Sequence, residues 1–577
     1  MKKFITILVV LAAVGAGAYW YTQPTGSSAP VTARYPARIG SVLPAKSTVA
    51  MGTIEHLDKV FTHLNDFAKE TLVNLPDEFR IQAEPILNKE KRDALLGFDL
   101  LTSAGWSSIG IDASAGLSVV ADSTLVEDGE PMPLVLLKIT DRAKLVAALS
   151  AQGTSLSFSD KQGPSELMTI AGIQSLVGEK AGYTVVLPGS PGSSPAAALR
   201  TKFDNFLTGK TPALVDDSGF TDAVGHLADG GRAMMYLATD PLLKIATSNA
   251  PAGTAALSAV DQAYYAERFP AFGLGISAEV AQAQLVATPA GTVILNKLFR
   301  PKSDPKLSQY VPGKNWSAIR YSLNVEQLFE GVGELIPPSK AEIKMGLAMG
   351  QALIAGQIGV SWMDISAALD GHFMLATELA SLTALKTQNK ADLAWLGVVG
   401  IREATKAKRL MTTLKTKLES PSFADITVEP IDLNGAPGLI LASSGFTMSV
   451  VQTKDAFLIG PNTAILSAAI NGATAGQFSS TDAGQAIDQS GAVSVVVVQL
   501  ETILKALQAD ETLPDDTKKA LQAFVEDPTR RQTIAAPNVN AILLNKGLQF
   551  RSSGLMSLAI LAGLSGAALM PVFLSYQ

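Results

Sequence analysis

The chain has 577 residues, of which 47% are hydrophobic and only 17% charged, a composition that folds rather than stays disordered. Its 46 basic and 52 acidic side chains leave a net charge of −6, without the basic excess that phosphate neutralisation needs, so nucleic acid is not an expected partner. With no cysteine, thiol nucleophiles, disulfides, iron–sulfur clusters and Cys-ligated zinc are excluded.

Residues 1–22 open Met1-Lys2-Lys3 and then run from Phe4 to Tyr21 without a charge, 18 residues or about 27 Å as a helix. Small residues at Ala16-Gly17-Ala18 fit a secretory signal cut after Ala18. The aromatic continuation Tyr19-Trp20-Tyr21 fits an uncleaved signal anchor with its rings at the membrane boundary. Either way the two lysines stay in the cytoplasm and the rest is exported, which predicts a bacterial inner-membrane protein with its body in the periplasm. Residues 23–39 then read as a stalk, opening on a flexible stretch with Pro24 and Gly26.

Repetition organises the chain from residue 40 onward. Residues 48–64, 232–248, 317–333 and 492–508 each pair a short apolar strand with an amphipathic helix after a polar break. Larger blocks recur in the same order. Residues 133–151 match 393–417, 182–187 match 446–460, 217–231 match 479–491, and 271–289 match 538–554. These correspondences predict a tandem duplication, a first α+β repeat over 40–300 and a second over 317–553, joined by a linker at 301–316. Turn dipeptides such as Asn434-Gly435 and Lys454-Asp455 join neighbouring strands as hairpins. The expected class is therefore α+β: two tandem homologous halves, each a largely antiparallel sheet with helices on one face.

Residues 554–577 close the chain, with 21 uncharged residues from Gly554 to Leu574 that either span a membrane or are buried as a core helix. Small residues four apart, Ala13 with Gly17 and Ala559 with Gly563, would let two such terminal helices approach closely.

The run Leu43-Pro44-Ala45 leading into the strand Val49 to Ile54 resembles the domain starts of a poorly characterised family of exported, envelope-associated bacterial proteins. The resemblance is one of pattern over about residues 40–550. It implies an envelope location and carries no catalytic residues, because that family has no agreed activity.

Catalytic and metal signatures are missing from the sequence. His56 and His63, seven apart on an expected helix beside Glu55, Asp58 and Asp66, sit about 10.5 Å apart along its axis, too far to share one zinc. His226 and His372 follow glycines in unrelated blocks. Gly209-Lys210-Thr211 imitates the end of a phosphate-binding loop but has Asp204 where the glycine belongs. Ser303-Asp304-Pro305-Lys306 has the spacing of a serine–lysine pair with a proline inside it. Asp216-Asp217 and Asp515-Asp516 fit turns and helix caps better than acid–base work. The expected catalytic, cofactor-binding and metal residues are thus none, and the chain is expected not to be an enzyme. The preferred expectation is a membrane-anchored periplasmic protein that binds a partner protein or acts as a scaffold. Two alternatives stand beside it: a carrier of lipid or another hydrophobic ligand, and a hydrolase whose site assembles only in three dimensions around His226 or His372.

Overall fold

The computed structural model describes residues 37–553, excepting 55, 60, 63–96, 128–129, 190–194, 226–232, 249–257, 277–279, 301–305, 379–393, 445, 476, 489–490 and most of 500–537. Both terminal apolar segments, including the expected signal anchor at 1–22 and the segment 554–577, lie outside the described residues. The chain is a mixture of helices and antiparallel sheet, as the α+β expectation has it. It divides into two compact units between Val286 and Ala287, ahead of the expected repeat end at 300.

In the first unit, β1 (Thr48–Ile54) is followed by the short helix α1 (Ser103–Ser108), the hairpin β2 (Leu117–Glu127) and β3 (Glu130–Leu137), and α2 (Arg142–Ala151). A meander comes next, β4 (Leu156–Gln162), β5 (Ser165–Ile170), β6 (Ile173–Lys180) and β7 (Tyr183–Leu187). The unit continues with α3 (Ala197–Thr208), α4 (Ser218–Val224), β8 (Ala233–Ala238), α5 (Thr239–Ser248) and α6 (Ala259–Arg268), and ends with β9 (Ala271–Ile276) and β10 (Val280–Val286). Hydrogen-bonded neighbours run β4-β5-β6-β7-β3-β2-β1-β8-β9-β10, every pair antiparallel.

The second unit begins with α7 (Pro289–Leu298), β11 (Trp316–Ser322), α8 (Leu328–Leu335), α9 (Ala341–Ile358) and α10 (Trp362–Ala368). Then come β12 (Leu369–Glu378), β13 (Trp395–Ile401), α11 (Ala404–Leu418) and the meander β14 (Thr427–Leu433), β15 (Ala436–Ser443), β16 (Phe446–Gln452) and β17 (Ala456–Gly460). Helices α12 (Thr463–Ala475) and α13 (Asp482–Ile487) lead to β18 (Ala492–Val497), and β19 (Asn538–Leu544) with β20 (Gly547–Ser553) closes the unit. Its antiparallel order is β14-β15-β16-β17-β13-β12-β11-β18-β19-β20. This is the order of the first unit with each strand number raised by ten.

Local chemistry explains many of the boundaries. The β14–β15 hairpin turns at Asn434 and Gly435, whose φ values of 56° and 83° are the two left-handed residues of a type I′ turn. Pro430 lacks an amide to donate and sits on β14, an edge strand of the described sheet. Thr102, Asp141, Asp217, Ser361 and Thr481 each cap a helix with a side-chain oxygen.

Helices pack on both faces of each sheet around β3 and β13, which corrects the expectation of helices on one face, while Val119, Met235, Tyr321 and Leu375 on neighbouring strands stay exposed. Successive residues of a strand point to opposite sides. In β3, Leu134 and Leu136 pack with Phe203 and Phe206 of α3 and Phe220 of α4, while Leu137 packs with Trp106 of α1 and with Leu145 and Ala148 of α2. In the second unit, Leu396 and Val398 pack with Leu466 of α12 and Ile487 of α13, whereas Val399 and Ile401 pack with Ile365 of α10 and Ala407 of α11. The reason lies in strands such as β3 and β13, whose apolar residues fall on both parities and so draw a helix to either side. A fully buried side chain such as Phe203 contributes roughly 2–3 kcal/mol of burial free energy.

Candidate functional site

A polar cluster in the second unit is built around one irregularity. The pairing of β12 with β13 steps from Leu369↔Ile401 to Phe373↔Val399, so a bulge holds Asp370, Gly371 and His372. Gly371 makes it possible: its φ is 95°, and a Cβ there would lie 2.2 Å from the Leu323 carbonyl oxygen. On its other side β12 stays in register with β11, so His372 faces Ser322 directly and the imidazole Nδ1 lies 2.9 Å from Ser322 Oγ. The His372 amide donates to Asp370 Oδ1 at 2.8 Å.

Two residues back along β11, on the same face, Arg320 donates from Nη2 to the Ala492 carbonyl of β18 at 2.7 Å. Its counter-charge is Asp488, the C-cap of α13. Asp488 in turn accepts from Ser308, at Oδ1 from the amide (3.1 Å) and at Oδ2 from the hydroxyl (2.5 Å). Arg320 is 0% exposed, Ser322 1% and His372 2%.

Burial sets the charges. It pushes the Arg320 guanidinium down to about 10, against the pull of Asp488, so Arg320 stays protonated at neutral pH. Burial, with Arg320 and Arg300 nearby, pushes the His372 imidazole down to about 4, and the ring is neutral at pH 7. Burial also raises the Asp370 and Asp488 carboxyls, although hydrogen bonds from His372 and Ser308 and the nearby arginines act the other way.

A neutral imidazole on a serine hydroxyl is the pairing of a base with a nucleophile. Here, however, the nearby carboxylate of Asp370 takes the backbone amide of His372, and Ser322 Oγ lies beneath the surface. The arrangement can fix β11, β12, β18 and α13 in one geometry. In the first unit the buried cross-strand pair is a plain hydroxyl contact, Ser118 donating to Thr53 at 2.8 Å.

The other sequence candidates do not converge. His56 precedes its helix instead of riding on it, with φ 48° and its carbonyl accepting from the Lys59 amide at 2.9 Å. That left-handed backbone is incompatible with a helical residue, so His56 does not lie on the expected helix face. His63, His226 and the Ser303–Pro305 stretch lie outside the described residues. Gly209 ends α3 rather than beginning a helix, so no phosphate nest forms there. Asp217 caps α4 and Asp216 accepts from the Ala213 amide, as turn and cap residues do. Among the described residues no group of three or more His, Asp or Glu is placed to hold a metal ion.

Arg320, Ser322, Ser308 and Asp488 were not singled out from the sequence. The signal was present in β11, where the inward parity Trp316, Ala318, Arg320, Ser322 places a charge among buried residues. No protein-family model, no curated protein and no solved structure matches the chain.

Proposed function

We propose that this is a non-enzymatic, membrane-anchored protein of the cell envelope, whose body lies in the periplasm and binds a partner protein or serves as a scaffold. The observation that carries the non-enzymatic reading is the closure of the Ser322–His372–Arg320 cluster: its one nucleophile–base pair is sealed and its hydrogen bonds tie strands together. The uncharged stretch Phe4–Tyr21 supports anchoring at the N-terminus, and Gly554–Leu574 supports a second membrane segment. We further infer that the two units descend from one module copied in tandem. The matching strand orders support this, as do the repeated sequence blocks, which fall on equivalent elements: 133–151 on β3 and α2, 393–417 on β13 and α11.

The test of location uses the absence of cysteine, which makes any introduced thiol unique. Glu429→Cys, on an exposed strand position, is expected to react with a membrane-impermeant maleimide once the outer membrane is opened, whereas Lys3→Cys reacts only after lysis. Labelling of both only after lysis, or recovery of the protein among soluble cytoplasmic contents, overturns the reading.

A further inference from the structure

From Met345 to Met363 the second unit runs 19 residues without a charge. Most of this run is α9, which has no buried residue among those whose exposure is described. Met345 is 62% exposed, Met349 59% and Leu353 57%, and Met363 on α10 is 77% exposed. Ala348, Ala352 and Gly356 are exposed beside them, and a Cβ added at Gly346, Gly350 or Gly356 would meet nothing within 4 Å. At 100° per residue these positions sweep about half the helix circumference, wider than the stripe of about 100° that a surface helix buries against one neighbour.

Among the described residues no single helix is long and apolar enough to cross a membrane. Residues Pro338–Gln357 with Trp362–Ala368 pass that test only together, bent by 78°, a geometry that suits lying along a surface. Charge points to the same surface. Helix α11 packs on α10 through Ala407 against Ile365 and Ala368 and carries Lys406, Lys408, Arg409, Lys415 and Lys417, of which Lys406 pairs with Glu403 at 2.8 Å and Lys415 with Glu419 at 3.7 Å at the two caps. Lys417 reaches Gly359, the C-cap of α9.

We propose that α9, Met363 of α10 and the basic side chains of α11 contact an anionic lipid bilayer, with Met345, Met349 and Leu353 among the acyl chains. Apolar cover over half a helix is what a fluid hydrocarbon layer supplies, unbranched methionines adapt to it, and basic residues beside it meet lipid phosphates. The contact rests on the membrane-anchored reading, since a body tethered through residues 1–22 stays within reach of the surface.

The test is made on the full chain in vesicles of phosphatidylglycerol and phosphatidylcholine containing nitroxide-labelled lipid. A fluorophore on Met349→Cys is expected to be quenched several-fold more by the lipid nitroxide than by aqueous iodide, with the reverse at Glu429→Cys. Changing Lys408 and Arg409 to Glu is expected to reduce that lipid quenching in anionic vesicles and leave it unchanged in phosphatidylcholine alone. A chain that floats with the vesicles while iodide quenches residue 349 overturns the lipid contact and leaves the anchor standing. Shielding of residue 349 from both quenchers means that protein covers α9, which also overturns it. A chain that does not float at all overturns the anchor and the contact together.

Discussion

Ser308 and Asp488 stand 180 residues apart in the chain and are joined by two hydrogen bonds, amide to Oδ1 at 3.1 Å and hydroxyl to Oδ2 at 2.5 Å. The pair joins the segment ahead of β11 to the end of α13, and its carboxylate favours the charged form of the buried Arg320. An uncompensated buried charge is among the costliest defects a core can carry.

Asp488→Ala is therefore expected to destabilise the second unit by about 3 kcal/mol, since it removes both hydrogen bonds to Ser308 and the negative charge that favours the buried Arg320 guanidinium. Asp488→Asn keeps an acceptor for the Ser308 amide and is expected to cost less, about 1–2 kcal/mol. Urea unfolding of the full chain, followed at Trp316, Trp362 and Trp395 after Trp20 and Trp106 are replaced by Phe, reads both; equal costs would show that the charge is not what matters.

His372 should make stability pH-dependent. Its folded-state value of about 4 lies below the ordinary 6.5, so between these values the unfolded chain binds a proton that the folded chain does not. Its contribution is complete above about pH 6.5 and is lost as pH falls toward 4, by at most about 3 kcal/mol. Asp370 and Asp488, raised by burial, slope the opposite way above the usual carboxylate value. The comparison to make is wild type against His372→Gln: the variant should lose the fall in stability between pH 6.5 and 4, and an unchanged slope would assign it to other groups.

The bulge should depend on its glycine. Gly371→Ala combines a positive φ with a clash against backbone and is expected to cost about 3 kcal/mol. Gly435, in the β14–β15 turn, shares the positive φ but has open space around it, so Gly435→Ala should cost only about 1 kcal/mol. Thermal unfolding of the two variants side by side isolates the steric part; similar losses would mean that φ alone governs both sites.

The C-terminal apolar segment gives a cell-based prediction. In a chain whose N-terminal segment has been made cleavable, deletion of residues 554–577 is expected to move most of the protein from the membrane to the soluble periplasmic fraction. Unchanged retention would mean that the ends do not share the anchoring.

Much of the fold was legible because backbone-level signals are local. Asn434-Gly435 announces a hairpin by its dihedral needs, and the alternation of short apolar strands with amphipathic helices announces the mixture of helix and antiparallel sheet. Ala171-Gly172 and Ala181-Gly182 form comparable left-handed turns without any such announcement, because alanine has no side-chain reason to be there. Helix placement on both faces was also readable in principle, from the double parity of apolar residues in β3 and β13. The polar cluster was legible only at Arg320, by its inward parity on β11; its meeting with Ser308, His372 and Asp488 runs through pairings that no local pattern encodes. The exposed run at 345–363 carries the same uncharged signature as the two ends, and its position in mid-chain hid it.

The position of β1 within its sheet carries a kinetic consequence. It is an interior strand, flanked by β2 and by β8, which is made roughly 180 residues later. Until β8 emerges, one edge of β1 displays unpaired amides and carbonyls, a template for whatever strand arrives. The second unit presents β11 in the same condition, awaiting β18. Since both vacancies accept an antiparallel strand of similar apolar character, β18 can seat on β1, or β8 on β11, and a chain folding slowly or at high concentration risks exchanging strands between its own halves or with a neighbour.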